Sequence, residues 1–109
     1  MDVAGNNYLK GEMRRMLVFC EYVVLPLYLV EFREWAEARP SLWQGAQLLE
    51  NVDQPGVMLE IRQAQDEQEA ARIQKERLDG RSEWLDMQRW VKGGRAGVRV
   101  WTFRPIVTA

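Results

Sequence analysis

Gly97-Val98-Arg99-Val100-Trp101-Thr102-Phe103 is the stretch that decides the fold. It follows a glycine-rich corner, Gly93-Gly94-Arg95-Ala96, and stops at Pro105. Successive side chains of a strand point to opposite sides, so Val98, Val100 and Thr102 share one face and Arg99, Trp101 and Phe103 the other. A strand with a β-branched face and an aromatic, cationic face reads as the middle of a sheet, with cover wanted on both sides. One face should meet helices and the other a second subunit; the sequence leaves open which does which.

Working outward, Met16 to Val24 is a second strong strand, rich in β-branched and aromatic residues. Leu17, Phe19 and Val23 fall on one of its faces and Val18, Cys20 and Tyr22 on the other. Both faces are apolar except at Glu21, which predicts a central position. Pro26 is suited to the first position of a helix, where its missing N–H costs nothing. Leu29, Phe32, Trp35 or Ala36, and Arg39 then recur at helical spacing, with Glu31, Arg33, Glu34 and Glu37 on the wet side, until Pro40. Gly45 to Glu50 reads as a strand, Asn51 to Gly56 as turn chemistry, and Val57 to Arg62 as an alternating strand. Asp66 is a good N-cap with Glu69 three residues on, and Gly80 a natural stop for the helix between. That helix has a thin apolar stripe, which suits covering a sheet edge. Ser82 caps a short helical piece, Glu83 to Trp90.

The order β-α-β-β-α-(short α)-β is that of a split βαβ, α+β ferredoxin-like fold: a four-stranded antiparallel sheet with both helices on one face. Residues 1–15 read as a flexible N-terminal arm and 16–109 as a single domain. The sheet face without helices is too apolar to leave in water, which predicts a homodimer packed sheet on sheet.

Composition bounds the function. Fifteen basic and sixteen acidic residues among 109 give a net charge of -1, which offers nucleic acid or an anionic membrane no electrostatic grip. Cys20 is the only cysteine, so an internal disulfide is excluded and a reducing, cytoplasmic setting fits. There is no histidine, which removes the commonest general base and metal ligand. No metal or cofactor is expected. The apolar run after Arg14 and Arg15 is broken by Glu21 and Pro26 and lacks a small-residue cleavage site, so it reads as strand and helix, not a targeting segment.

Three local motifs, together with this order of elements, carry a resemblance: Phe19-Cys20-Glu21-Tyr22, Asp53-Gln54-Pro55-Gly56, and Glu60-Ile61-Arg62 followed by the polar stretch Asp66 to Ala70. Over roughly residues 16–106 the chain resembles the dimeric α+β barrel proteins of the antibiotic-biosynthesis-monooxygenase type. The resemblance implies a pocket between sheet and helices and, in some members, cofactor-free oxygenation of small aromatic molecules. In the haem-degrading branch an Asn late in the first strand, a Trp ending the third and a helical His do the work. Here those strand positions fall on Tyr22 and Arg62, and there is no His, so haem degradation is not expected.

The residues themselves supply several site candidates. Glu60 and Arg62, two apart on one strand face, suit a small acidic or phenolic ligand; the plainer alternative is a self-saturating pair at the sheet rim. Arg99 and Trp101, with Phe103, suit a planar anion or, alternatively, a dimer interface. The five tryptophans, Trp84 among them, either line a small-molecule cavity or fill a small core. Tyr22 either donates its hydroxyl into such a cavity or caps the sheet edge. Cys20 has no His to activate it, which argues against a catalytic thiolate. Two functions follow, a cofactor-free monooxygenase-like enzyme or a non-enzymatic ligand-binding or assembly protein. They differ in whether polar groups converge inside a cavity.

Overall fold

The structure, a computed structural model, describes residues 15–79 and 83–107. The predicted N-terminal arm, apart from Arg15, and the predicted stop and cap at Gly80 and Ser82 lie outside the described residues. The strands are β1 (Met16–Val23), β2 (Ala46–Glu50), β3 (Val57–Ala64) and β4 (Arg99–Phe103). The helices are α1 (Leu29–Glu37), α2 (Glu67–Asp79) and the short α3 (Glu83–Gln88). They form the four-stranded antiparallel sheet of a ferredoxin-like α+β fold, in the order β2-β3-β1-β4, with the helices on one face. No helix among the described residues is long and apolar enough to cross a membrane.

β1 is central, as its two apolar faces require, flanked by β3 and β4. The final strand is not. β4 pairs only with β1 and forms the edge of the sheet. Its two well-furnished faces reflect what lies above and below the sheet, which says nothing about neighbours at its sides. Register fixes the facing sets. Leu48, Glu60, Cys20 and Val100 form one cross-sheet row towards the helices, and Gln47, Ile61, Phe19 and Trp101 an adjacent row on the opposite face.

Pro26 opens a 3-10 turn, Pro26–Tyr28, that leads into α1. The expected helical pattern ends at Glu37, and Arg39 leaves helical geometry with φ -128°. Phe32, Trp35 and Ala36 are the buried face of α1. The N–H of Glu69 donates to Asp66 Oδ1 at 2.8 Å, so Asp66 caps α2 as its side chain suggests. α2 lies over β1, β4 and β3, and the core between sheet and helices is built from Val18, Tyr22, Phe32, Met58, Trp84 and Met87. Trp90, just after α3, also packs into it.

The chain after α3 is stitched to the end of β1. Leu25 N–H donates to Trp90 O and Lys92 N–H to Val23 O. The predicted turn at Gly93–Gly97 follows, and at Gly97 a Cβ would sit 1.9 Å from Lys92 O, so only glycine permits the approach that seats β4.

On β4, Val98 and Val100 are buried towards the helices, while Arg99, Trp101 and Phe103 lie on the helix-free face. That face carries Leu17, Phe19, Leu59, Trp101 and Phe103 around an open hollow of about 650 Å³. Phe19 and Phe103 meet edge to face with centroids 5.0 Å apart.

Candidate functional site

The polar centre of the molecule lies under the helices. Alternation along β3 puts Met58, Glu60 and Arg62 on the helix face, and Glu60 is completely buried there. The rim pair allowed by sequence is therefore not what forms. Arg77 of α2 donates to both carboxylate oxygens, Nε to Oε1 at 2.9 Å and Nη2 to Oε2 at 2.8 Å. Tyr22 Oη donates to Oε2 at 2.5 Å, and Arg62 Nη2 reaches Oε1 at 3.3 Å. An unpaired buried carboxylate would be prohibitive, so this convergence of donors is what lets Glu60 stay there.

The two guanidinium groups are held by aromatics. Arg77 Cζ lies 3.8 Å from the centroid of the Trp84 ring, a distance reachable only over its face. Arg62 Cζ lies 5.1 Å from Trp84 and 5.7 Å from Trp43, and its Nη1 donates to Leu42 O at 3.0 Å. Trp84, Trp43 and Trp35 meet edge to face, with centroids 5.7 to 6.2 Å apart. Burial, then the charge of Glu60 and the hydrogen bond to it, raise the Tyr22 pKa well above its ordinary value, so the hydroxyl stays neutral. Burial first, and Glu60 second, push the Cys20 thiol up to about 12. Burial opposes the Arg77 charge, but Glu60 outweighs it and holds the guanidinium protonated.

Beside this cluster a cleft of about 300 Å³ opens between α2 and the end of β3. Arg62, Arg77 and Trp84 form its inner wall with Ile73, and Glu69, Arg72 and Glu76 also line it. Arg62 Nε and Arg77 Nη1 are buried and have no hydrogen-bond partner. A guanidinium stacked on a ring directs its N–H bonds in its own plane, so Trp84 does not satisfy Arg77 Nη1. A buried donor left unmet costs about 1–3 kcal/mol. Both donor atoms are closed off from the cleft although their residues line it, so that cost is borne inside the core.

Of the candidates named from sequence, the structure brings Tyr22, Glu60, Arg62 and Trp84 together. Arg99 and Trp101 lie on the opposite face of the sheet, separated from them by the strands. Trp101 lines the open hollow there, so no single pocket holds all six. Of the five tryptophans, Trp35, Trp84 and Trp90 are core and Trp43 packs against it, with only Trp101 on the other side. Arg77, the main partner of Glu60, was missed by sequence reasoning. Its signal was available: Ala70, Ile73 and Arg77 fall at i, i+3 and i+7, which places an arginine in the apolar stripe of α2.

No family model matches the chain and no curated protein is similar to it. Among solved structures it is similar to a conserved protein from Methanosarcina mazei Go1, with a TM-score of 0.61 over 88% of this chain and 97% of that one. Sequence identity is 13%, so the likeness is one of fold.

Proposed function

We propose that the chain is a small-ligand-binding protein of the ferredoxin-like class, acting as a homodimer, and that it holds its ligand without transforming it. The observation that carries this reading is the α2–β3 cleft of about 300 Å³, whose lining brings Arg62, Arg77 and Trp84 together. Acidic and small aromatic ligands suit a wall made of two arginines, Trp84 and Ile73.

The enzymatic alternative, a cofactor-free monooxygenase-like activity on a small aromatic molecule, calls for a group that takes up a proton near neutral pH. The groups of the buried cluster behind the cleft are poorly placed for that task. Tyr22 is a donor with a raised pKa, Cys20 is held protonated, and both oxygens of Glu60 are already engaged. This balance supports binding over turnover.

The dimer reading rests on the helix-free face, where Leu17, Phe19, Leu59, Trp101 and Phe103 make a continuous apolar surface. A second copy presenting the same face would cover it. A cytoplasmic setting suits the lone, buried Cys20 thiol.

Native mass spectrometry of the purified protein should detect a dimer and a copurifying small molecule that is recovered unchanged. Incubation of that molecule with protein in air should yield no product. Conversion of the molecule to an oxygenated product would overturn the binding reading. A single subunit mass by light scattering at micromolar concentration would overturn the dimer.

A further inference from the structure

We infer that two copies of the chain stack β1 and β4 on β1 and β4, with Glu21 of each copy paired to Arg99 of the other. This rests on the homodimer proposed above and specifies its contact. The helix-free face is apolar nearly throughout. Register leaves it two charged residues among the described strands, Glu21 and Arg99. They are cross-strand neighbours of opposite sign. Neither joins an ion pair among the described residues, whereas Arg33, Arg39, Arg72, Arg95 and Arg104 of the surface all do.

A closed two-fold dimer is self-complementary: if one residue meets a second across the interface, the second also meets the first. For sheets packed face to face the strands stay roughly aligned, and the axis lies between the sheets. An axis along the strands between β1 and β4 sets β1 of each copy over β4 of the other. The rows given by register then match. Glu21 stands over Arg99, Phe19 over Trp101 and Leu17 over Phe103, each twice. Packed sheets lie about 10 Å apart, a gap that a glutamate and an arginine reaching towards each other close.

An axis through the middle of the sheet, between β1 and β3, covers more surface but fails on charge. It sets Glu21 over Leu59 and Arg99 over Leu49, each charge desolvated against a leucine. The apolar groups agree with the off-centre axis. The open hollow lies over β1 and β4, and Leu59 is its one lining residue from β3. That axis leaves β2 clear of the stack, and β2 gives this face no more than Gln47 and Leu49. Such a pair fixes how the copies align more than how tightly they hold, so reversing a charge is more informative than deleting one.

Sedimentation of the full-length protein at micromolar concentration tests this with Glu21→Lys, with Arg99→Glu, and with the two mixed in equal amounts. Alone, each variant meets its own copy with like charges twice, and its dimer Kd should rise at least about a hundredfold. In the mixture every contact again joins opposite charges, and a mixed dimer should form within about tenfold of the wild-type Kd. A pair closed within one chain would be broken in both variants, and mixing would not repair it. Both side chains lie outside the core, so far-UV circular dichroism of each variant should match wild type. Loss of fold in either variant would overturn the inference. If both variants dimerise as wild type does, or if mixing restores nothing, the Glu21–Arg99 contact is wrong while the dimer stands. If the wild-type chain is itself monomeric, the dimer reading falls and takes this inference with it.

Discussion

Glu60 and Trp101 sit two strands apart in one sheet and face opposite ways. Glu60 is sealed from water beneath the helices, with Arg77 on both its oxygens. Trp101, a far more apolar group, is 42% exposed on the other side, with Phe103 beside it at 51%. Polar groups are expected outside and large apolar ones inside, so each face departs from expectation in its own direction. What differs is the neighbour. The helix side supplies its own partners from α2 and α3, whereas no helix among the described residues covers the open side. A buried charge with all its partners at hand speaks of an internal device, and an uncovered apolar surface speaks of a surface that another molecule completes.

Removing Arg77 should give the largest effect. Arg77→Met strands the Glu60 charge and should cost about 3–5 kcal/mol in urea unfolding. Glu21→Ala, a charge deleted from the open face, should change stability by no more than about 0.5 kcal/mol. Equal effects would abolish the distinction between the faces.

Next in size is the open side itself. Trp101→Asp should weaken self-association by about 2 kcal/mol or more, seen as monomer in sedimentation at micromolar concentration. Its effect on urea unfolding of the monomer should stay near 1 kcal/mol. A large loss of monomer stability would mean that Trp101 belongs to the fold, not to an interface.

Alkaline pH probes the helix side alone. Cys20 is raised from its ordinary 9.0 to about 12, and Tyr22 is raised well above its ordinary 10.0. Above pH 9 the unfolded chain releases these protons while the folded one retains them, so stability is full below that pH and falls as pH rises towards 12. The urea midpoint should drop between neutral pH and pH 10.5, and Cys20→Ala with Tyr22→Phe should flatten that drop. A midpoint falling as steeply in the double variant would locate the alkaline sensitivity elsewhere.

The smallest effect is expected at the sheet margin. Glu50 accepts from Gly56 N–H at 2.9 Å and pairs with Arg33 at 2.9 Å. Those two contacts, the Gly56 one first, lower its pKa below the ordinary 4.5, so the stability it lends is present above that value and fades in acid. Both side chains are partly exposed, so Glu50→Gln should cost under about 1 kcal/mol at neutral pH by chemical denaturation. A larger loss would extend the buried polar device to the edge of the sheet.

The element order and both faces of β1 were legible because periodicity records which side of a strand is dry. The face assignment of β4 was not, since Val98/Val100 and Arg99/Trp101 each make a plausible interior. Only the register with β1 resolves it, by putting Val100 in the row of Glu60 and Cys20. The same kind of ambiguity hid the site. Glu60 and Arg62 stand out two apart, but whether they meet solvent or helix depends on Arg77, seventeen positions beyond Glu60 in a helix crowded with charges. A charged residue inside an apolar stripe is easily read as noise in the stripe. Here it marks the point where α2 is tied to β3.

The stitching of β4 onto β1 also bears on synthesis. Tyr22, Glu60 and Arg77 all precede residue 80, so the hydrogen-bonded ionic cluster takes no residue from β4. β4 is the last strand of the sheet to leave the ribosome, and until then β1 has an open flank. A chain in which β4 has not yet docked therefore carries one open strand edge beside an apolar sheet face, the two features that drive premature aggregation.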